Sequence, residues 1–198
     1  MKHLKNLYRS TVAGILIGMA CVISAHYENP ELVFPVGIFC VILSGALLYT
    51  GIIGQSSIKH WRLVCTTLIG NFIGVSLVTL YAKFFIDYKV FAEAVLYKVS
   101  IGYLPWFISS IFCGLLMCAA TSLRIENSFF TTFLCVAAFI VVRFEHSIAD
   151  TFYLLLDGLQ MDDIIRLVIA VVGNALGAKL LWWTHLIKNK QSCRRQFL

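Results

Sequence analysis

Arg143, Phe144, Glu145, His146 and Ser147 stand in the middle of an otherwise apolar stretch, residues 129–156. A guanidinium, a carboxylate and an imidazole so close together can donate, accept and exchange protons. At the centre of a hydrophobic span such groups are costly. Where they occur they usually face a bundle interior, a cavity or a transport path. The other histidines, His3, His26, His60 and His185, fall near the ends of apolar runs. The motifs of metalloproteases, serine hydrolases and nucleotide-binding loops are absent from the sequence. The chemistry on offer is therefore proton and ion handling rather than bond cleavage, and no cofactor or metal is called for.

The stretch that carries these residues is too long for one straight crossing. As a continuous helix it would reach roughly 42 Å at 1.5 Å per residue, against a hydrocarbon core of about 30 Å. Its polar centre predicts a break, with half-helices over 129–142 and 147–156. Ser147 and Asp150 have the S-x-x-D spacing of a capping box, so Ser147 is expected to cap the second half-helix and Asp150 to reach back. Glu145 is expected to bond N–H groups freed by the break. Backbone of this kind at membrane depth is tolerated only when it is buried in protein or lines a cavity. A half-helix N-terminus aimed into that cavity favours anions.

The chain is 60% hydrophobic and 13% charged, with a mean hydropathy of +0.85. That is the composition of a polytopic membrane protein. Candidate spans are 10–27, 32–54, 62–86, 101–123, 129–156 and 163–187, joined by short connections that leave no room for a soluble domain. Six spans put both termini on one side. That side would hold Lys2, Lys5, Arg9, Lys59, Arg62, Arg124, Lys188, Lys190, Arg194 and Arg195, and the other only Lys89 and Lys98, with Lys83 at a span end. Both termini are read as cytoplasmic. The net charge of +6 is mostly this bias and does not suggest nucleic acid. Cys21, Cys40, Cys65, Cys113, Cys118, Cys135 and Cys193 are scattered without a C-x-x-C, so they are read as small packing residues. The start also fits a signal peptide cleaved near Ile23-Ser24-Ala25. A retained first span is preferred, because the repeat needs it.

That repeat is visible in the third and sixth spans. Gly70-Asn71-Phe72-Ile73-Gly74 and Gly173-Asn174-Ala175-Leu176-Gly177 share the pattern G-N-x-x-G, and Ala13-Gly14-Ile15-Leu16 is echoed by Cys113-Gly114-Leu115-Leu116. Small residues four apart let helix backbones approach closely. Asn71 and Asn174 can bond across helices or to freed backbone. The fold class expected is an all-α membrane protein of six transmembrane helices, in one domain over 1–198. Its two three-helix repeats cover about 10–86 and 101–187. Three is odd, so the second repeat must be inverted, a recurring design of transporters with the path near the midplane. Span two is interrupted at Ser44-Gly45-Ala46 and again at Tyr49-Thr50-Gly51, matching the break in span five. Thr50 can offer its hydroxyl to the path.

At these residues the chain resembles the formate/nitrite transporter family. Phe144-Glu145-His146-Ser147-Ile148-Ala149 is similar to the family's most distinctive motif, and Ser44-Gly45-Ala46-Leu47-Leu48-Tyr49-Thr50-Gly51 to the loop that breaks its second span. The two G-N-x-x-G patterns match its third and sixth spans. The resemblance covers nearly the whole chain. It implies an aquaporin-like homopentamer in the plasma membrane (the inner membrane if the source is bacterial), with one path per protomer. It also implies passage of small monovalent anions such as formate, nitrite or hydrosulfide, with or without a proton. His146 would be the central pore histidine, Lys98 the outer-vestibule lysine and Phe139 an apolar constriction. Leu48 and Tyr49 lie in the loop that supplies the other constriction. Arg143 stands where the family commonly has Gly, Asp150 where it has Asn, and Gly114 where it has a polar residue. Arg143 either compensates Asp150 or points into the path.

Three other readings remain open on sequence: a neutral-solute channel of the aquaporin type, a membrane scaffold and a membrane enzyme. The paired N-P-A loops of the first are missing, since the only Asn-Pro is Asn29-Pro30. A scaffold would show no conductance in liposomes. The motifs an enzyme would need are those found absent above.

Overall fold

The computed structural model describes the backbone of residues 2–122 and 128–195 and the side chains of 3–57, 59–121 and 129–187. Arg124 and the side chains of Lys2, Lys188, Lys190, Cys193, Arg194 and Arg195, used in reading the sequence, lie outside them.

Among the described residues the chain is helical throughout and forms no strand. The helices are α1 (Lys2–Ala25), α2 (Pro30–Ser44), α3 (Tyr49–Ile52), α4 (Trp61–Phe85), α5 (Lys89–Ser100), α6 (Tyr103–Ser122), α7 (Ser128–Val141), α8 (Ser147–Leu156) and α9 (Met161–Arg195). Four are long and apolar enough to cross a membrane: α1, α4, α6 and α9. The other two expected spans are split, into α2 with α3 and α7 with α8. The two half-helices expected at 129–142 and 147–156 are thus present, within one residue of the boundaries read from the sequence.

Packing follows the glycines. A Cβ at Gly14 would lie 2.2 Å from the Asn71 carbonyl oxygen, and one at Gly114 2.2 Å from that of Asn174. Backbone therefore touches backbone between α1 and α4, and between α6 and α9. Any side chain at either position would force the helices apart.

The connection expected between spans three and four is itself a helix, α5. Asp87 Oδ1 accepts the Lys89 N–H (3.0 Å), and Phe91 and Val95 are fully buried. The segment is too short and too charged to read as a span, so apolar-run counting passed over it. It carries Lys98 into the protein.

Candidate functional site

Both helix breaks are built the same way. α2 ends at Gly45, whose backbone is left-handed at φ 65°. The Gly45 N–H donates to Ile42 O (3.2 Å) and the Ala46 N–H to Val41 O (3.1 Å), the hydrogen-bond pattern of a Schellman stop. α7 ends at Arg143, left-handed at φ 56°. There Arg143 N–H donates to Ile140 O (3.0 Å) and Phe144 N–H to Phe139 O (2.9 Å).

An asparagine from a neighbouring helix then holds each exposed strand of backbone. Asn71 Nδ2 donates to the carbonyls of Ser10 and Leu47 (both 2.8 Å), and its Oδ1 accepts from the Tyr49 N–H (2.8 Å). Asn174 Nδ2 donates to the carbonyls of Ser110 (2.8 Å) and Glu145 (2.9 Å), and its Oδ1 accepts from the Ser147 N–H (2.9 Å). Both asparagines are fully buried. Three hydrogen bonds per side chain satisfy polar groups that water cannot reach.

His146 is the N-cap of α8: its Nδ1 accepts the Ala149 N–H at 3.2 Å. The expectation that Ser147 caps this helix is therefore corrected. Ser147 is already the first helical residue, and its hydroxyl has no hydrogen-bond partner. Because Nδ1 is an acceptor, His146 is a neutral imidazole with its proton on Nε2. That N–H faces Thr50 Oγ1 at 3.0 Å. Phe139 stacks on the ring, with centroids 5.8 Å apart and planes 19° from parallel. Phe139, His146 and Thr50 are all buried.

A cavity of about 430 Å³ runs up to this stack and is lined by Lys98, Phe139, Arg143, His146, Asp150 and Tyr153, among others. Thr50, Leu48 and Tyr49 do not line it. Leu48 is buried as the residue preceding α3, and the Tyr49 hydroxyl donates to Val171 O at 3.0 Å.

Glu145 and Asp150 do not bond the freed N–H groups. Both carboxylates turn to Lys98, whose Nζ lies 2.5 Å from Glu145 Oε2 and 2.6 Å from Asp150 Oδ1. Asn174 has already satisfied the broken backbone, so the acids are left to neutralise an ammonium that α5 delivers into the protein. Lys98 is consequently a doubly paired cation, 12% exposed, in the wall of the cavity. Its Nζ also lies 5.4 Å from the Trp106 ring centroid and 5.6 Å from that of Tyr153.

A broken pair of half-helices, matching asparagine anchors and a histidine–phenylalanine stack at the end of a cavity together fit the resemblance read from the sequence. The family model described as formate/nitrite transporter matches residues 1–187. The chain belongs to the formate/nitrite transporter family. Two solved structures share the fold. An ion channel of the FNT family superposes with a TM-score of 0.82 at 21% identity, over 93% of this chain and 90% of that one. A pentameric formate channel with formate bound superposes with a TM-score of 0.75 at 22% identity, over 94% of this chain and 98% of that one. Comparison with curated proteins gives no match.

Two arginines of this member of the formate/nitrite transporter family have partners that were not foreseen. The first is Arg143. Its left-handed backbone explains why glycine is common there, since that conformation crowds Cβ. The side chain does not compensate Asp150, as one sequence reading had it. Its Nη2 lies 2.9 Å from Glu93 Oε1, and its guanidinium sits 4.7 Å from the Tyr97 ring centroid. Asp150 is taken by Lys98, and α5 offers Arg143 both of its partners at the cavity rim. The second is Arg166, buried on α9. It donates to the carbonyls of Lys98, Val99 (2.9 Å) and Ile101, the last turn of α5 and the residue after it. A cation on those carbonyls secures the helix end that carries Lys98. An arginine three residues after Asp163 in an apolar run was the only sequence signal for it.

Proposed function

We propose that this protein is a channel or proton-coupled transporter for small monovalent anions of weak acids, formate and nitrite among them. It would work as a homopentamer in the plasma membrane, with a path through each protomer and both termini in the cytoplasm. The two halves would be inverted repeats, with His146 and Thr50 near the midplane. Support comes from family membership and from the fold shared with a pentameric formate channel. The observation that carries the reading is the cavity ending on the Phe139–His146 stack.

The energetics favour passage as the neutral acid. Taking a bare anion into low dielectric costs up to about 20 kcal/mol in the idealised limit. Protonating a carboxylate with a pKa near 4 at pH 7 costs about 3 units, or roughly 4 kcal/mol. The apolar face of Phe139 selects the uncharged form. His146, neutral and with Nε2–H directed at Thr50, supplies a hydrogen bond at the inner wall of the cavity. It is a donor of a hydrogen bond rather than of a free proton, because charging it would break the cap on Ala149. Leu48 and Tyr49 would close the path beyond Thr50.

Stopped-flow uptake in proteoliposomes, with a panel of weak-acid anions at two pH values, tests this. Anion uptake that accelerates as the pH falls is expected. Strong uptake of glycerol with none of any anion would overturn it in favour of a neutral-solute channel. His146→Phe with wild-type uptake would remove His146 from the mechanism.

A further inference from the structure

The cluster around Lys98 has one negative charge too many. Its members are one ammonium and two carboxyls, and Glu145 and Asp150 are 0% and 1% exposed. Both carboxyls touch the same nitrogen, so their bonded oxygens lie within about 5 Å of each other. Each keeps a second oxygen, Glu145 Oε1 and Asp150 Oδ2, that is buried and meets no donor. A buried carboxylate oxygen without a donor is a strained arrangement, and two like charges in one site do not both ionise.

Among the described residues no neighbour supplies the missing positive charge. Cys21 on α1, Cys113 on α6 and Tyr153 on α8 face the cluster and are neutral donors or acceptors. His146 is neutral, as its cap to Ala149 requires. Arg166 on α9 spends its donors on the carbonyls at the end of α5 and follows Asp163 by one turn. Arg143 is held at the rim by Glu93, and Glu28, also on the cavity wall, adds only further negative charge.

We propose that Glu145 and Asp150 share one bound proton across Lys98, which makes this cluster a proton-binding site in the cavity wall. The proton brings the cluster to neutrality and provides a donor for the orphaned oxygens. Asp150 lines the cavity and Glu145 does not, so the proton exchanges with the cavity through Asp150. The site stands on geometry and charge, while its place beside an anion path rests on the function proposed above.

Infrared spectroscopy of the purified protein in detergent at neutral pH tests it. The wild type should show the carbonyl stretch of one protonated carboxyl per chain, shifted down in heavy water. Asp150→Asn and Glu145→Gln should each abolish it, because either leaves a neutral Lys–carboxylate pair. A wild type with no such band overturns the proposal without any variant. So does a band that survives in both variants. The band is read without transport, so liposomes that pass no anion would defeat the earlier reading and leave this one standing.

Discussion

α2 stops at Gly45 and α3 begins after Leu48; α7 stops at Arg143 and α8 begins after His146. Left-handed stop, closure by two hydrogen bonds, asparagine clamp on the carbonyl before and the N–H after: each step occurs in both breaks. The residues carried on that backbone differ at every place. Where the first break has Gly45, Leu47 and Leu48, the second has Arg143, Glu145 and His146. The first break is thus a scaffold with apolar side chains, and the second uses the same scaffold to hold a cap, an acid and a rim cation. The backbone geometry is a requirement of folding in a membrane, which both halves meet alike. Among the residues between stop and restart, the ionisable side chains stand in the second break only.

If the scaffold is shared, its removal should hurt both halves equally. Asn71→Leu and Asn174→Leu each orphan one loop carbonyl and one N–H, those of Leu47 and Tyr49 or of Glu145 and Ser147, while the carbonyls of Ser10 and Ser110 keep their bonds within α1 and α6. At about 1–3 kcal/mol per unsatisfied group, each variant should lose at least about 2 kcal/mol. That is enough to abolish a marginal fold. The check is retention of folded protein in detergent on heating. One variant collapsing while the other matched wild type would end the equivalence of the two breaks.

If the chemistry is confined to the second half, making it like the first should silence it. His146→Leu places leucine where Leu48 stands in the other break. It removes the cap on Ala149, worth about 1 kcal/mol, and the partner of Thr50. Uptake of a weak-acid anion at neutral pH should fall by at least about ten-fold, equivalent to about 1.4 kcal/mol in the barrier. Leu48→His should bring no gain. Equal uptake by wild type and His146→Leu would show that the asymmetry is not functional.

The scaffold was the part legible in the sequence. A span too long for the bilayer, a polar centre and a repeated G-N-x-x-G are all local signals, and each marked an element that the structure contains. What the polar residues bond to was not legible. Ser147 looked like a cap because its spacing to Asp150 fits one. The structure gives the cap to His146, because Asn174, on α9, reaches the Ser147 N–H. Glu145 was expected on the backbone because of the break and Asp150 because of its spacing from Ser147, while Lys98 was placed in the vestibule by resemblance alone. Placing its ammonium against both acids depends on α5, an unforeseen helix, and on Arg166 holding the end of that helix. Partners that converge from three helices leave no periodic trace in the chain.

The smallest expected effect separates the two stops. At Gly45 an added Cβ finds room, its nearest neighbour being Arg9 Nη2 at 3.7 Å. Gly45→Ala should therefore cost only the left-handed conformation, about 1 kcal/mol. At Arg143 that cost is already present, and Arg143→Gly relieves it. The same change removes the pair with Glu93, whose side chain is 86% exposed, and the contact with Tyr97. An exposed pair is worth about 0–1 kcal/mol, and an exposed cation–aromatic contact about 0.5–1. The gain and the losses nearly cancel, so Arg143→Gly should leave stability within about 0.5 kcal/mol of wild type. Glu93→Gln, which loosens Arg143 without relieving its backbone, should destabilise by less than about 1 kcal/mol. Thermal unfolding of the three variants side by side decides it. If Arg143→Gly stabilised the protein by a full 1 kcal/mol, the rim contacts would contribute nothing. Arg143 would then be a strained residue that the fold tolerates without compensation, and its side chain would have to be explained by what it does at the cavity mouth.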